Sequence, residues 1–141
     1  MKVLLDTSVW SLALRRPKNV AFSVEQQVIV TALTVLMCDG RAVMMGAIRQ
    51  ELLSGIKTQT GFDVLKSTLT AFDDVTLAMQ DYEKVAEVFN ICRANGVQGS
   101  NTDFFICAVS INHQLPILSV DNDFQIYRHW LPVQLHSLQI A

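Results

Sequence analysis

Residues 3–6, VLLD, form an apolar run with no alternation, closed by an acid. A strand that is apolar at every position has both faces covered, as in parallel sheets flanked by helices. Similar short runs recur as AVMM (42–45), VTLA (75–78) and PILSV (116–120), with a weaker one, PVQLHS, at 132–137. Helical segments fill the intervals. TSVWSLAL stops at RRPK, where Pro17 forbids continuation. Ser23 and Gln26 form a capping box that opens a helix closing at Gly40. GAIRQELLSG ends at Gly55, FDVLKSTLTAF follows, and QDYEKVAEVFNICRANG has acids at its start and Arg93 near its end. SNTDFFICAVSINHQ and DNDFQIYRHW complete the set. Strands alternating with helices predict an α/β fold: three layers, α/β/α, around a mostly parallel sheet of four to five strands.

The 141 residues fit one domain, 1–141, large enough for a substantial core. Half the residues are hydrophobic, which exceeds what a core alone requires and suggests apolar surface kept for a partner. The helix around VIVTALTVLMC is apolar almost all round, so it is either sandwiched or offered to another chain. Cys38, Cys92 and Cys107 form no C-x-x-C and cannot all pair, so buried free thiols in a reducing compartment are expected. Lys2 leads straight into a strand, and no apolar stretch is long enough to span a bilayer; a cytoplasmic protein is expected.

A net charge of −2 argues against non-specific nucleic-acid binding. With four acids neutralised by a cation, however, the balance becomes +2. The acids repay attention for that reason. Ligands in parallel sheets bind beyond the carboxyl ends of the strands. Asp6 ends the first strand, Asp121 follows the fourth, and Asp103 opens the helix leading into the fourth. Each has a structural alternative as a helix cap or as support for the helix dipole, as does Asp123 beside Asn122. Glu51 has Ile48, Leu52 and Gly55 as helical neighbours, so it borders the apolar stripe. Carboxylates gathered in one crevice repel unless a cation joins them. All-oxygen ligation suits a hard ion, Mg²⁺ or Mn²⁺. His113, His129 and His136 lack zinc-ligand spacing and read as surface or edge residues.

Four segments taken in order, LLDTSVW, IRQELLSG, TDFFICAVS and ILSVDNDF, give the chain a specific likeness. It resembles PIN domains and, among them, the VapC toxins of bacterial toxin–antitoxin pairs. The resemblance implies a metal-dependent endoribonuclease, the toxin of a type II pair. It also implies that Asp6, Glu51, Asp103 and Asp121 hold the metal, with Asp123 a close alternative for the last position. Thr7 or Ser8 would support Asp6, and Ser119 matches the small hydroxyl residue before the closing acids. A homodimer and an antitoxin protein are the implied partners. Cys107 stands where the family commonly has alanine, and Phe104 and Phe105 are bulkier than usual beside the third acid.

The chemistry expected of such a site is hydrolysis of RNA phosphodiesters. Arg15, Arg16 and Lys18 are candidate phosphate contacts near the Asp6 end, with Arg49 a weaker one. Trp10 shares a helical stripe with Leu14 and reads as core more readily than as a base-stacking residue. A haloacid-dehalogenase-type phosphatase would need a second Asp where Ser8 stands. A dinucleotide-binding domain would need a Gly-rich loop in place of DTSVW. A receiver-like signalling domain would need a late strand-end Lys, and none follows Lys84. A catalytically inactive PIN-like interaction module would be expected to have lost an acid, whereas all four positions are filled.

Overall fold

The computed structural model describes residues 1–14 and 21–138. Its elements run β1 (Val3–Leu5), α1 (Thr7–Leu14), α2 (Val24–Cys38), β2 (Ala42–Val43), α3 (Gly46–Leu53), α4 (Gln59–Leu69), α5 (Met79–Ala94), α6 (Asn101–His113), β3 (Ile117–Leu118) and α7 (Asp123–Tyr127). The sheet order is β2-β1-β3, all parallel, with Val3 opposite Ala42, Leu4 opposite Val43 and Ile117, and Leu5 opposite Leu118. Helices cover both faces, giving the three-layer α/β/α arrangement. Central β1 has no exposed surface at Val3, Leu4 or Leu5, which accounts for its unbroken apolar sequence.

Among the described residues the sheet has three strands, not the four or five expected. The two missing strands persist as single parallel bridges, Met44 with Asp74 and Ile117 with Leu135. VTLA leaves the sheet after one bond, from the Val75 N–H to the Met44 carbonyl, because Ala78 is already the N-cap of α5. PVQLHS forms two bonds around Ile117, from the Ile117 N–H to Gln134 and from the His136 N–H to Ile117. β3 is only two residues long, so little edge remains for it to pair with.

The capping box opening α2 is present in both halves. Gln26 N–H donates to Ser23 Oγ (3.1 Å), and Ser23 N–H donates to Gln26 Oε1 (2.9 Å). Gly40 ends the turn after α2 at φ +68°, a conformation other residues adopt only with strain. Trp10 is fully buried, edge-on to Phe72 with ring centroids 4.9 Å apart; it is a core residue. α2 buries Leu33 and Leu36 but exposes Val24 and Val35 beside Leu138 and His136, in a groove of about 750 Å³. Cys92 and Cys107 are buried thiols as expected, whereas Cys38 is exposed because it ends α2 at the surface. No helix among the described residues is long and apolar enough to cross a membrane.

Two polar ties close the helical layers. Arg49 of α3 donates to Asp74 Oδ1 (3.0 and 2.9 Å), to the Leu69 carbonyl (2.9 Å) and to the Phe72 carbonyl. Its guanidinium is thus committed to the end of α4, which removes it from the candidate phosphate contacts. Asp81, buried at the start of α5, accepts from the Ala78 N–H (2.9 Å) and from Asn112 Nδ2 (3.0 Å) and pairs with His113 Nε2 (3.0 Å). Ala78 has no side chain able to complete a capping box, so only the return half of that motif exists here. His113, expected to be an ordinary edge residue, is part of this α5–α6 tie.

Candidate active site

β1 is followed in the chain by its neighbour on one side, β2, and later by its neighbour on the other, β3. The carboxyl end of β1 is therefore a topological switch point, where open α/β sheets have their crevice. Asp6 stands there. Its backbone carbonyl accepts from Val9 and Trp10 and begins α1, while its own N–H is bonded to the Leu118 carbonyl of β3 (2.9 Å). The side chain does not cap α1. Its Oδ2 accepts from Ser8 Oγ at 2.6 Å and from Ser119 Oγ at 2.8 Å, in a residue only 2% exposed. Ser8 also accepts from the Val120 N–H (3.2 Å), and Ser119 from the Asp121 N–H (2.9 Å). The two hydroxyls thus fix the Asp6 carboxylate and stitch β1 to the loop after β3. Of the Thr7/Ser8 alternatives, Ser8 has this role; Thr7 Oγ1 is buried without a partner in the structure.

α6 precedes β3 and runs back along the sheet, so its first turn lies at the same end as Asp6. Ser100 caps that turn, accepting from the Asp103 N–H at 3.0 Å. The Asp103 carboxylate points elsewhere: its Oδ2 accepts from the Tyr127 hydroxyl at 2.7 Å. Burial raises the Asp103 pKa from 3.8 to about 6; the Tyr127 and Ser100 hydroxyls oppose the rise, and the charges of Asp6 and Asp123 add to it. Asp121 is also raised, first by burial, then by the charges of Asp6 and Asp123, by a hydrogen bond to Asp6 and by the charge of Glu51. Neither Asp121 nor Asp123 caps α7; the N-cap is Asn122, with no side-chain cap bond.

Five acids therefore share one electrostatic field: Asp6, Asp103, Asp121, Asp123 and Glu51. They do not share a coordination sphere. Among the described residues, no three His, Cys, Asp or Glu side chains are grouped closely enough to hold a metal ion. Glu51 lies on a different element, α3. It is exposed, more than a turn into α3, at the rim of a cleft of about 610 Å³ shared with Gln50, Asn101, Thr102, Tyr82 and Phe105. Arg15, Arg16 and Lys18 lie outside the described residues.

Cys107 sits directly behind Asp103. It is fully buried in the core, and burial and the charge of Asp103 push its thiol well up from its ordinary value. Tyr127 is the site residue that sequence reasoning missed. Its signal was present but faint: an aromatic residue four positions after Asp123 on the helix that follows the closing acids.

The parallel three-layer fold with a hydroxyl-held acid at its switch point belongs to a known class. The chain is a member of the PIN-domain family, whose sequence pattern matches residues 3–129. Its fold is similar to that of FitAcB from Neisseria gonorrhoeae, with 19% identity and a TM-score of 0.71 over 96% of each chain. It is also similar to VapBC2 from Rickettsia felis, solved with a DNA fragment from the promoter, with 14% identity and a TM-score of 0.73 over 96% of this chain and 98% of that one. VapBC-5 from Mycobacterium tuberculosis, of the VapBC family of toxin–antitoxin systems, has 18% identity and a TM-score of 0.66 over 95% and 96%. At such identities the likeness is one of fold. No curated protein gives a significant match.

Proposed function

We propose that this chain is a metal-dependent endoribonuclease and the toxin of a type II toxin–antitoxin pair. The observation that carries the reading is the Asp6 carboxylate at the sheet's switch point, oriented by two hydroxyls and facing the fields of Asp103 and Asp121. Membership of the PIN family and the fold shared with VapBC and FitAB proteins support it. The donor chemistry fits a hard divalent ion, Mg²⁺ or Mn²⁺: carboxylates and hydroxyls, with no His or Cys ligand. Asp6, Glu51, Asp103 and Asp121 would hold it, with Asp123 in reserve. Glu51, Asp121 and Asp123 are exposed, whereas Asp6 is buried and pinned by Ser8 and Ser119.

An ion held by these residues would supply positive charge against the negative charge that builds on the phosphate oxygens. The chain's own groups do the remaining work. Ser8 and Ser119 keep Asp6 in one rotamer, so it enters the reaction pre-oriented. Asp103 or Asp121 orients the attacking water and accepts its proton. In-line attack leaves a 5′-phosphate and a 3′-hydroxyl. The groove beside α2, with Val24, Val35 and Leu138 at its walls, is the surface we assign to a second copy or to an antitoxin segment.

One observation favours a second reading, an inactive PIN-like interaction module: the acids are not closed around a single point. The test separates the two. Purified protein with Mg²⁺ should cleave RNA, and Glu51→Gln should abolish cleavage. Expression in a bacterium should arrest growth, and Asp103→Asn should relieve the arrest. Wild-type protein inert toward total RNA in both Mg²⁺ and Mn²⁺ would favour the inactive module.

A further inference from the structure

Resting on the metal-site reading above, we infer that Tyr127 is a positioning residue that orients Asp103 for the divalent ion. Its hydroxyl donates to Asp103 Oδ2 at 2.7 Å, linking α7, just after the Asp121–Asp123 loop, to the first turn of α6. The tyrosine is only 1% exposed, and its ring is clamped edge-on by Phe124 (5.3 Å) and tilted against Phe104 (6.0 Å). Its carbonyl accepts from the Trp130 and Leu131 N–H groups. Such a ring has no freedom to follow a wandering carboxylate, so the carboxylate conforms to it. The backbone is cut to fit: a Cβ on Gly99 would collide with the Tyr127 hydroxyl and meet the Phe104 ring at 3.0 Å.

The geometry has a direct consequence. Asp6 is held through Oδ2 by Ser8 and Ser119, and Asp103 through Oδ2 by Tyr127. The two less exposed acids of the site, Asp6 and Asp103, thus each have a hydroxyl donor fixed on one oxygen. Hydrogen-bonded outer partners of this kind commonly change metal affinity by about 10- to 100-fold when removed.

Tyr127→Phe removes the hydroxyl and keeps the ring. Mn²⁺ binding by electron paramagnetic resonance is expected to weaken by roughly tenfold or more, with kcat on an RNA oligonucleotide reduced and KM nearly unchanged. Gly99→Ala, which displaces the hydroxyl without deleting it, should weaken Mn²⁺ binding in the same direction. Leu131→Ala loosens the same end of the core with the hydroxyl intact, so it should lower Tm while leaving Mn²⁺ affinity within about twofold of wild type. Tyr127→Phe protein that binds Mn²⁺ as tightly as wild type overturns the inference and leaves the metal site standing. Loss of affinity in Leu131→Ala to the same degree as in Tyr127→Phe also overturns it, by reducing the effect to packing. Wild-type protein that binds no Mn²⁺ removes the metal-site reading itself, and this inference with it.

Discussion

Replacing Asp103 with Asn should make the protein more stable while making it inactive. Burial, reinforced by Asp6 and Asp123, raises this carboxyl from 3.8 to about 6. The folded state therefore favours the protonated form, and ionisation costs stability. The cost is absent below pH 3.8, grows as pH rises, and is complete above about pH 6. Linkage sets its ceiling at about 3 kcal/mol. The side chain is only half-buried, and solvent screening reduces this to roughly 1.5 kcal/mol. Asn at the third position of α6 forfeits about 0.5 kcal/mol of charge–dipole attraction, leaving a gain near 1 kcal/mol. In a chain of this length that is a Tm increase of about 3 °C. Thermal unfolding in a chelator should show the gain at pH 7.5 and its disappearance at pH 4. Adding Mg²⁺ should reverse the order, raising the Tm of the wild type but not of the variant. A variant less stable than wild type at pH 7.5 without metal would refute the reasoning, since the carboxylate would then be stabilising the fold.

Three other outcomes are expected. Burial alone would raise Asp81, but bonds from Ala78, Asn112 and His113 outweigh it and hold the carboxyl below its ordinary 3.8. Its contribution is therefore present above about pH 4 and lost as pH falls through the depressed value, and Asp81→Ala should cost about 3 kcal/mol in urea unfolding at pH 7. Arg49→Ala frees the Leu69 and Phe72 carbonyls and should cost about 2 kcal/mol by the same assay, with RNA cleavage by the folded variant unchanged. The Ser8→Ala, Ser119→Ala pair leaves Asp6 without its two donors and should reduce RNA cleavage by roughly 10- to 100-fold, measured as kcat on an oligonucleotide.

The fold was largely legible because its signals are local. VLLD, the Ser23–Gln26 box and Gly40 each specify their own stretch of chain. The sheet was overcounted because VTLA and PVQLHS have strand composition, yet pairing depends on where neighbours end. β3 stops at Leu118 so that Ser119 can turn toward Asp6, and sequence composition does not register that. The candidate acids were read one at a time, Asp6, Asp103, Asp121 and Asp123 from strand ends and helix starts and Glu51 from the apolar stripe it borders. Their partners were harder to see, since Ser119 and Tyr127 meet Asp6 and Asp103 across 113 and 24 residues of chain. Arg49 misled for the same reason. A surface cation two residues from Glu51 looks available until α4 folds back and its terminal carbonyls reach the guanidinium.

Anomalous diffraction from crystals soaked in Mn²⁺ tests the core of this account. A peak should appear about 2.0–2.5 Å from carboxylate oxygens of both Asp6 and Asp103, with Glu51 or Asp121 drawn in beside it, and should vanish in Asp6→Asn crystals. A well-ordered crystal with no peak at the carboxyl end of β1, or with Mn²⁺ bound only elsewhere on the surface, would contradict it.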